Sequence, residues 1–410
     1  MKKILSSLFL VILFFSGCGE SKDSPTPDSE PQQGNTTGSS TRESKQVTLV
    51  YAVNRNNLSS ALDLNMRQML EALQGMAEGE NTMLVFKTFM KETSEDIKVE
   101  MAGLYKAVSG PKAEFILQKE YSRDILSTDP IRMKEVIEDA LKEKGEIYNL
   151  FFWGHGMAWT PYFSDHKATR GITIIENEDM PEVSAFGGDN NNKDWADIDE
   201  IKSAIPDGKF ETIWFDCCYM SNIETIYELR NKCKWMVAYP TEIAAAGLPY
   251  HEVLPYVLSY PQDLKGGAEA LYNYYNTTRT AVTAAVMDMS KIGGVADACK
   301  AVYKSGEERP KSYGLQNYSR SSSNPYYDLG QYVREYAEAN DAEVLITSFS
   351  VAMNKFVVYA VASEKDFNYK PIVESNYCGV STHLFNDTST EKDQYYRELD
   401  WYKATYAGAL

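Results

Sequence analysis

Two apolar runs in this chain stop at side chains able to do nucleophilic chemistry. Phe151-Phe152-Trp153-Gly154-His155-Gly156 ends in an imidazole between glycines, and Trp214-Phe215-Asp216-Cys217-Cys218-Tyr219-Met220 ends in adjacent thiols. Only 4 histidines occur in 410 residues, so a His-Gly step closing an apolar run stands out. A thiol attacks as its thiolate, and an isolated cysteine is mostly protonated at neutral pH. An imidazole beside it can take that proton and later return it to a leaving amine. The N–H of Gly156, uncovered by any side chain, could join the N–H of Cys218 in holding the oxyanion of a tetrahedral intermediate. These parts add up to acyl transfer, with peptide hydrolysis the expected reaction. Neighbours in a strand face opposite sides, so Cys217 and Cys218 cannot both enter one cleft. Periodicity does not choose between them.

The surrounding pattern says how the two groups would be positioned. Gln46 to Val53 reads as a buried strand, Leu58 to Leu73 as a helix, Thr82 to Phe89 as a strand, and Glu114 to Leu117 as the start of another. Asp129-Pro130 opens a helix, Glu146 to Trp153 forms the strand before His155, and Phe210 to Phe215 the strand before the cysteines. A helix over Met220 to Cys233 would set its N-terminal N–H groups and dipole near Cys218. Trp235 to Tyr239 is strand-like again. Alternation of this kind predicts an α/β fold with a largely parallel sheet flanked by helices, whose site lies beyond the strands' carboxyl ends. Further on, Val282 to Met289 reads as a strand and Lys291 to Val302 as a helix, before a polar break from Gly306 to Pro325. Beyond it come a helix from Asp328 to Ala339, strands at Phe356 to Val361 and Gly379 to Phe385, and a Tyr-rich terminal helix. The break divides a main domain, 46–305, from a smaller α/β subdomain, 306–410. The stretch from Thr160 to Lys193, with Gly187-Gly188-Asp189-Asn190-Asn191-Asn192, is too long for an ordinary connection.

The N-terminus carries an address. Lys2-Lys3, the apolar Ile4 to Phe15 and Phe15-Ser16-Gly17-Cys18 form a signal peptide over 1–18 that resembles a bacterial lipobox, with Cys18 the lipidated residue. Residues 19–45 are rich in Ser, Thr, Gly, Pro and charge, and read as a flexible tether. No later apolar run could span a bilayer, so membrane contact is expected through the lipid alone, at the bacterial cell envelope. The formal charge of −17 argues against nucleic acid, which wants a basic footprint. Setting Cys18 aside leaves 217, 218, 233, 299 and 378, an odd number without a C-x-x-C pair or metal-ligand spacing. That fits one functional thiol among buried cysteines, Cys233 on the apolar face of the helix after the thiols being one, with neither disulfides nor zinc. A monomer is expected.

The segments also carry a resemblance. Trp153-Gly154-His155-Gly156-Met157-Ala158-Trp159 resembles the W-D-H-G-x-G-W segment of the clostripain family of cysteine endopeptidases, and Asp216 to Glu224 resembles its D-A-C-L-M-S-N-V-E segment. Weaker matches run through Val50 to Leu58, Ser127 to Pro130, Thr241 to Tyr250, Ala285 to Ser290 and Tyr327 to Leu329. The resemblance implies a caspase-like fold and a Cys-His dyad of His155 and Cys218, with Cys217 at the family's alanine position. It also implies that Asp216, and less directly Glu242, line a pocket for the substrate's P1 side chain (the residue before the cleaved bond), often Arg or Lys. Family members are often activated by cleavage between the two catalytic strands, where Lys167, Arg170 and Lys193 offer basic sites. Departures are Gly154 for Asp, Ala158 for Gly and Tyr219 for Leu. No resident cofactor is expected. Some relatives need calcium, and Asp189, Asp194, Asp197 and Asp199 offer oxygen, without EF-hand spacing. Substrates would be proteins or peptides. The rival reading is a surface lipoprotein that keeps the fold as a binding module without turnover.

Overall fold

The structure is a computed structural model that describes residues 45–92, 98–161, 185–319, 325–385 and 390–407. Cys18, the signal peptide, most of the tether, and Lys167 and Arg170 lie outside these residues. From Glu43 onward the chain forms one compact unit.

A nine-stranded sheet runs through it in the order β13-β11-β10-β9-β5-β1-β2-β3-β4. Its strands are β1 (Gln46–Ala52), β2 (Asn81–Glu92), β3 (Lys98–Val108), β4 (Ile116–Tyr121), β5 (Ile147–Trp153), β9 (Phe210–Asp216), β10 (Cys233–Ala238), β11 (Thr283–Asp288) and β13 (Val357–Ala362). Short strands β6 (His155–Gly156), β7 (Phe186–Gly188) and β8 (Asp194–Ala196) make a small antiparallel sheet, and β12 (Tyr327–Asp328) pairs with β14 (Ser381–Thr382). The central strands from β10 to β2 are parallel, and antiparallel pairs close both flanks. This is the expected α/β sheet.

Strands β1, β5 and β9 are near-continuous apolar runs because helices cover both faces of the sheet. Along β5, Leu150 and Phe152 enter one core, whereas Phe151 and Trp153 enter the other. Strand β9 repeats the alternation with Phe215 and Trp214. Phe152 stacks on Phe215 with ring centroids 5.1 Å apart, and Phe151 on Trp214 at 5.8 Å. Each such ring, fully buried, contributes roughly 1.5–3 kcal/mol of transfer free energy. Two aromatic layers thus hold β5 and β9 in register up to Trp153 opposite Asp216.

Several elements differ from expectation. The helix after the cysteines is only Ile223–Glu228, capped by Asn222, whose Oδ1 accepts from Thr225 N–H. Cys233 opens β10 instead of ending that helix. The chain turns at Asn231, whose carbonyl accepts from Gly208 N–H at 2.8 Å, so the apolar Ile226, Leu229 and Cys233 belong to a helix, a turn and a strand. Strand β3 was not foreseen. The residues after 305, read as a smaller subdomain, supply β13 to the sheet's edge and pack Trp401, Tyr396 and Tyr406 into the core beneath β5 and β9.

Candidate active site

Trp153 and Asp216 face each other at the carboxyl ends of two parallel neighbours. His155 and Cys218 each stand two residues further on. What brings them off the sheet is local. Gly154, with φ of +150°, swings the chain out of β5, and a Cβ there would lie 3.2 Å from Val53 O. His155 and Gly156 then join β7 instead of the main sheet. A Cβ on Gly156 would fall 2.5 Å from Cys218 O and 2.8 Å from Cys217 Cβ, so only glycine lets the imidazole strand lie against the cysteine turn. On the other side the turn is sharp. Tyr219 takes a left-handed φ of +62°, held by its N–H donating to Thr241 O at 2.9 Å. Such a conformation costs on the order of 1 kcal/mol or more and persists where its surroundings fix it.

The two thiols separate cleanly. Cys217 is fully buried and donates to Phe152 O at 3.3 Å, and burial pushes its thiol pKa well up. Cys218 is partly exposed, and its Sγ accepts the Ile243 N–H at 3.4 Å. The expected helix dipole does not reach it. The helix starts at Ile223, four positions beyond Tyr219, and the field of a helix end falls off within its first turn. The Ile243 N–H stands in that role.

His155 is half-buried, and its Nε2 lies 2.8 Å from Asn57 Oδ1. Desolvation lowers its pKa below 6.5, which keeps the ring neutral at pH 7. Trp195 of β8 lies 6.0 Å from the ring, and a Cβ on Gly188 would come within 3.0 Å of His155 Cδ2. The hairpin β7–β8 therefore forms a wall behind the imidazole. Its Asp189, almost fully buried, accepts from Ser127 N–H at 2.8 Å and from Arg55 Nε at 2.9 Å. Gly156 contributes its free donor. Met157 N–H bonds Ala185 O at 3.0 Å, so the alternation of an antiparallel ladder turns the Gly156 N–H away from β7.

Asp216 points to the opposite face from Cys217, into a narrow pocket lined also by Tyr239, Ile243, Ala244, Gly247, Leu248 and Tyr275. Its Oδ2 accepts from Leu248 N–H at 3.1 Å and Tyr250 hydroxyl at 3.0 Å, whereas Oδ1 is buried without a hydrogen-bond partner. Burial pushes its pKa up to about 7, against the lowering effect of those two bonds. The wall is braced from behind. Asn65 accepts from Trp153 Nε1 at 2.8 Å and donates to Ala246 O and Leu248 O. Gly247, at φ +70°, leaves room for Asp216 Oδ2, which a Cβ would approach to 2.9 Å. Glu242 precedes Ile243 in the chain but is not among the residues lining the cavity.

The structure thus brings His155, Gly156, Asp216 and Cys218 to one end of the sheet. Sequence reasoning missed Asn57, Trp195, Tyr250 and the lining role of Tyr275. Tyr250 fell within the matched Thr241–Tyr250 segment, whereas Asn57 sat in an Asn-rich turn that reads as loop chemistry. Among the described residues no group of three or more His, Cys, Asp or Glu is placed to hold a metal.

Solved structures share this fold. In overall structure the chain is similar to a secreted C11 cysteine protease from Bacteroides thetaiotaomicron, in complex with an irreversible peptide inhibitor. That match covers 88% of this chain and 99% of that one, at 21% identity and a TM-score of 0.73. It is also similar to an inactive zymogen C11 protease from Parabacteroides distasonis, over 88% and 98% of the two chains, at 22% identity and a TM-score of 0.70. At such identities the likeness speaks for the fold. Among curated proteins, none matches. The model of the clostripain family matches residues 50–408, nearly the whole compact unit, and the chain belongs to that family of cysteine endopeptidases.

Proposed function

We propose that the chain is an exported, lipid-anchored endopeptidase that cleaves after Lys or Arg, with Cys218 as nucleophile and His155 as general acid and base. The observation that carries the reading is the buried Asp216 carboxyl in a narrow cavity that shares Ile243 with the thiol. A basic P1 side chain entering there would meet Asp216 Oδ1, the oxygen without a hydrogen-bond partner, in a pocket that Tyr239 and Tyr275 also line. The scissile carbonyl would then lie beside Cys218.

His155 takes the Cys218 proton, and the thiolate forms a C–S bond to the carbonyl carbon. The oxyanion accepts from the N–H groups of Gly156 and Cys218. His155 returns the proton to the leaving amine as the C–N bond breaks. Water then attacks the thioester, giving its proton to His155, and the acid product departs as the thiol is regenerated. No step needs a cofactor, and calcium, if used, acts outside this sequence.

Self-cleavage within 160–193 is part of the proposal, since Lys167, Arg170 and Lys193 suit the pocket and a structural relative is described as an inactive zymogen. A panel of peptide amides varied only at P1 tests the reading. Turnover of Lys and Arg amides, absent from the others and from Cys218→Ala, supports it. Hydrolysis retained in Cys218→Ala removes the nucleophile, and no preference for basic P1 removes the pocket assignment.

A further inference from the structure

A general base works only if the correct ring nitrogen carries the lone pair, and the partner of the other nitrogen decides this. In His155 that partner is Asn57, whose Oδ1 lies 2.8 Å from Nε2. A carboxamide oxygen can only accept, so Nε2 must hold the hydrogen and Nδ1 is left as the base. The geometry points to Asn57 as the positioning residue of the dyad, fixing His155 as the Nε2–H tautomer so that Nδ1 receives the Cys218 proton. The inference rests on the reading of Cys218 and His155 as a thiol–imidazole pair and adds a third member to it.

The turn that carries Asn57 is built for the purpose. Its neighbour Asn56, buried, donates to Val53 O at 3.0 Å, to Gly187 O at 3.3 Å and to Gly188 O at 3.1 Å, and accepts from Leu58 N–H at 2.9 Å. Asn56 therefore ties the end of β1 to the hairpin that walls the imidazole, while Asn57 is exposed and spends its oxygen on the ring. Division of labour follows: one asparagine holds the loop, the next holds the histidine. When the proton arrives, Nδ1–H and Nε2–H both donate and the Asn57 bond becomes charge-assisted, hence stronger. The bond thus favours the imidazolium that forms during attack. The charged groups on the elements around the ring are Arg55 and Asp189, paired with each other at 2.9 Å, Glu100, which pairs with the same Arg55, and Lys193 and Asp194 at the hairpin tip. None hydrogen-bonds the imidazole, so the Asn57 amide is its polar partner among these elements.

The test uses the full chain and three proteins: wild type, Asn57→Ala and Asn57→Asp. Steady-state hydrolysis of a lysyl peptide amide is measured with the pH dependence of Cys218 alkylation by iodoacetamide, which reads thiolate without substrate. Asn57→Ala is expected to lose on the order of 10- to 100-fold in kcat, part of the 10²–10⁴-fold a placed acid–base group supplies, with KM little changed. Its alkylation limb should move to higher pH, because the imidazolium that accompanies the thiolate has lost its acceptor. Asn57→Asp, offering a carboxylate to the same N–H, should recover kcat and move the limb below wild type. The melting temperature of Asn57→Ala should stay near wild type, since the turn's own bonds run through Asn56. An unchanged kcat in Asn57→Ala, or a common alkylation limb in all three proteins, overturns the inference. Should Asn57→Ala not fold, the limb of Asn57→Asp decides alone: lowered supports, unmoved overturns. Loss of the proposed function is a separate result, read as a wild type inert to basic amides or an active Cys218→Ala.

Discussion

Asp216 carries two hydrogen bonds on one oxygen and none on the other, and its burial holds its pKa at about 7. A group in that state becomes a strong cation site only once ionised. Below pH 7 the empty pocket is neutral, so kcat/KM for a lysyl amide should fall as pH drops through about 7. In the enzyme–substrate complex the bound ammonium favours the carboxylate, so the acid limb of kcat should lie lower than that of kcat/KM. Acid limbs that coincide for the two constants would contradict Asp216 as the P1 anchor. Asp216→Asn keeps the shape and removes the charge. It should cost about 10²- to 10⁴-fold in kcat/KM for basic P1, the scale of 3–5 kcal/mol for leaving one partner of a buried ion pair alone. Competing peptides with apolar P1 should change far less, which a single assay with paired substrates would reveal. At this scale the sequence was informative where a residue type is rare, as with His155. It was silent where the type is common: Asn57 looks like any turn asparagine, and only the fold brings it across 98 positions to the imidazole.

Strands β5 and β9 read plainly because burial on both faces leaves continuous apolar runs such as Leu150 to Trp153. Strand β3, Lys98–Val108, did not, since it lies one place from the edge and mixes Lys and Glu with its apolar residues. The short helix after the thiols was overextended because Ile226, Leu229 and Cys233 keep helical spacing through a turn that the periodicity does not mark. That error mattered chemically, as it credited a helix dipole with what the Ile243 N–H supplies. The element-level claim is that β6 must lie against the cysteine turn without a side chain between them. Gly156→Ala puts a Cβ 2.5 Å from Cys218 O, so the imidazole strand must move away. A displacement near 1 Å at reacting groups costs roughly 100-fold in rate, and kcat of this variant should fall on that order while it stays folded. A variant with unchanged kcat would show that the close approach serves packing alone. The hairpin behind the ring offers a stability counterpart. Asp189→Ala removes a buried acceptor of Ser127 N–H and Arg55 Nε, and should lower unfolding free energy by about 2 kcal/mol in a denaturant titration.

Taken whole, the molecule is one compact peptidase unit from Glu43 onward, and the expected lipid site Cys18 and two of the three expected cleavage sites, Lys167 and Arg170, fall outside the described residues. No helix among the described residues is long and apolar enough to cross a membrane. If Cys18 is the anchor, Cys18→Ser should shift the protein from the detergent fraction to the soluble fraction of its host, with peptidase activity kept. N-terminal sequencing of active protein should find a second start within 160–193, following Lys or Arg, and Cys218→Ala should remain one chain. The central claim is that Cys218, not the adjacent Cys217, attacks substrate. It is tested most directly by reacting the full chain with a peptide that carries a thiol-reactive group after a P1 lysine, then mapping the adduct by mass spectrometry. The account predicts one adduct, on Cys218, with the buried Cys217 unmodified and Cys218→Ala inert. An adduct on Cys217, or equal labelling of Cys218→Ala, would contradict it.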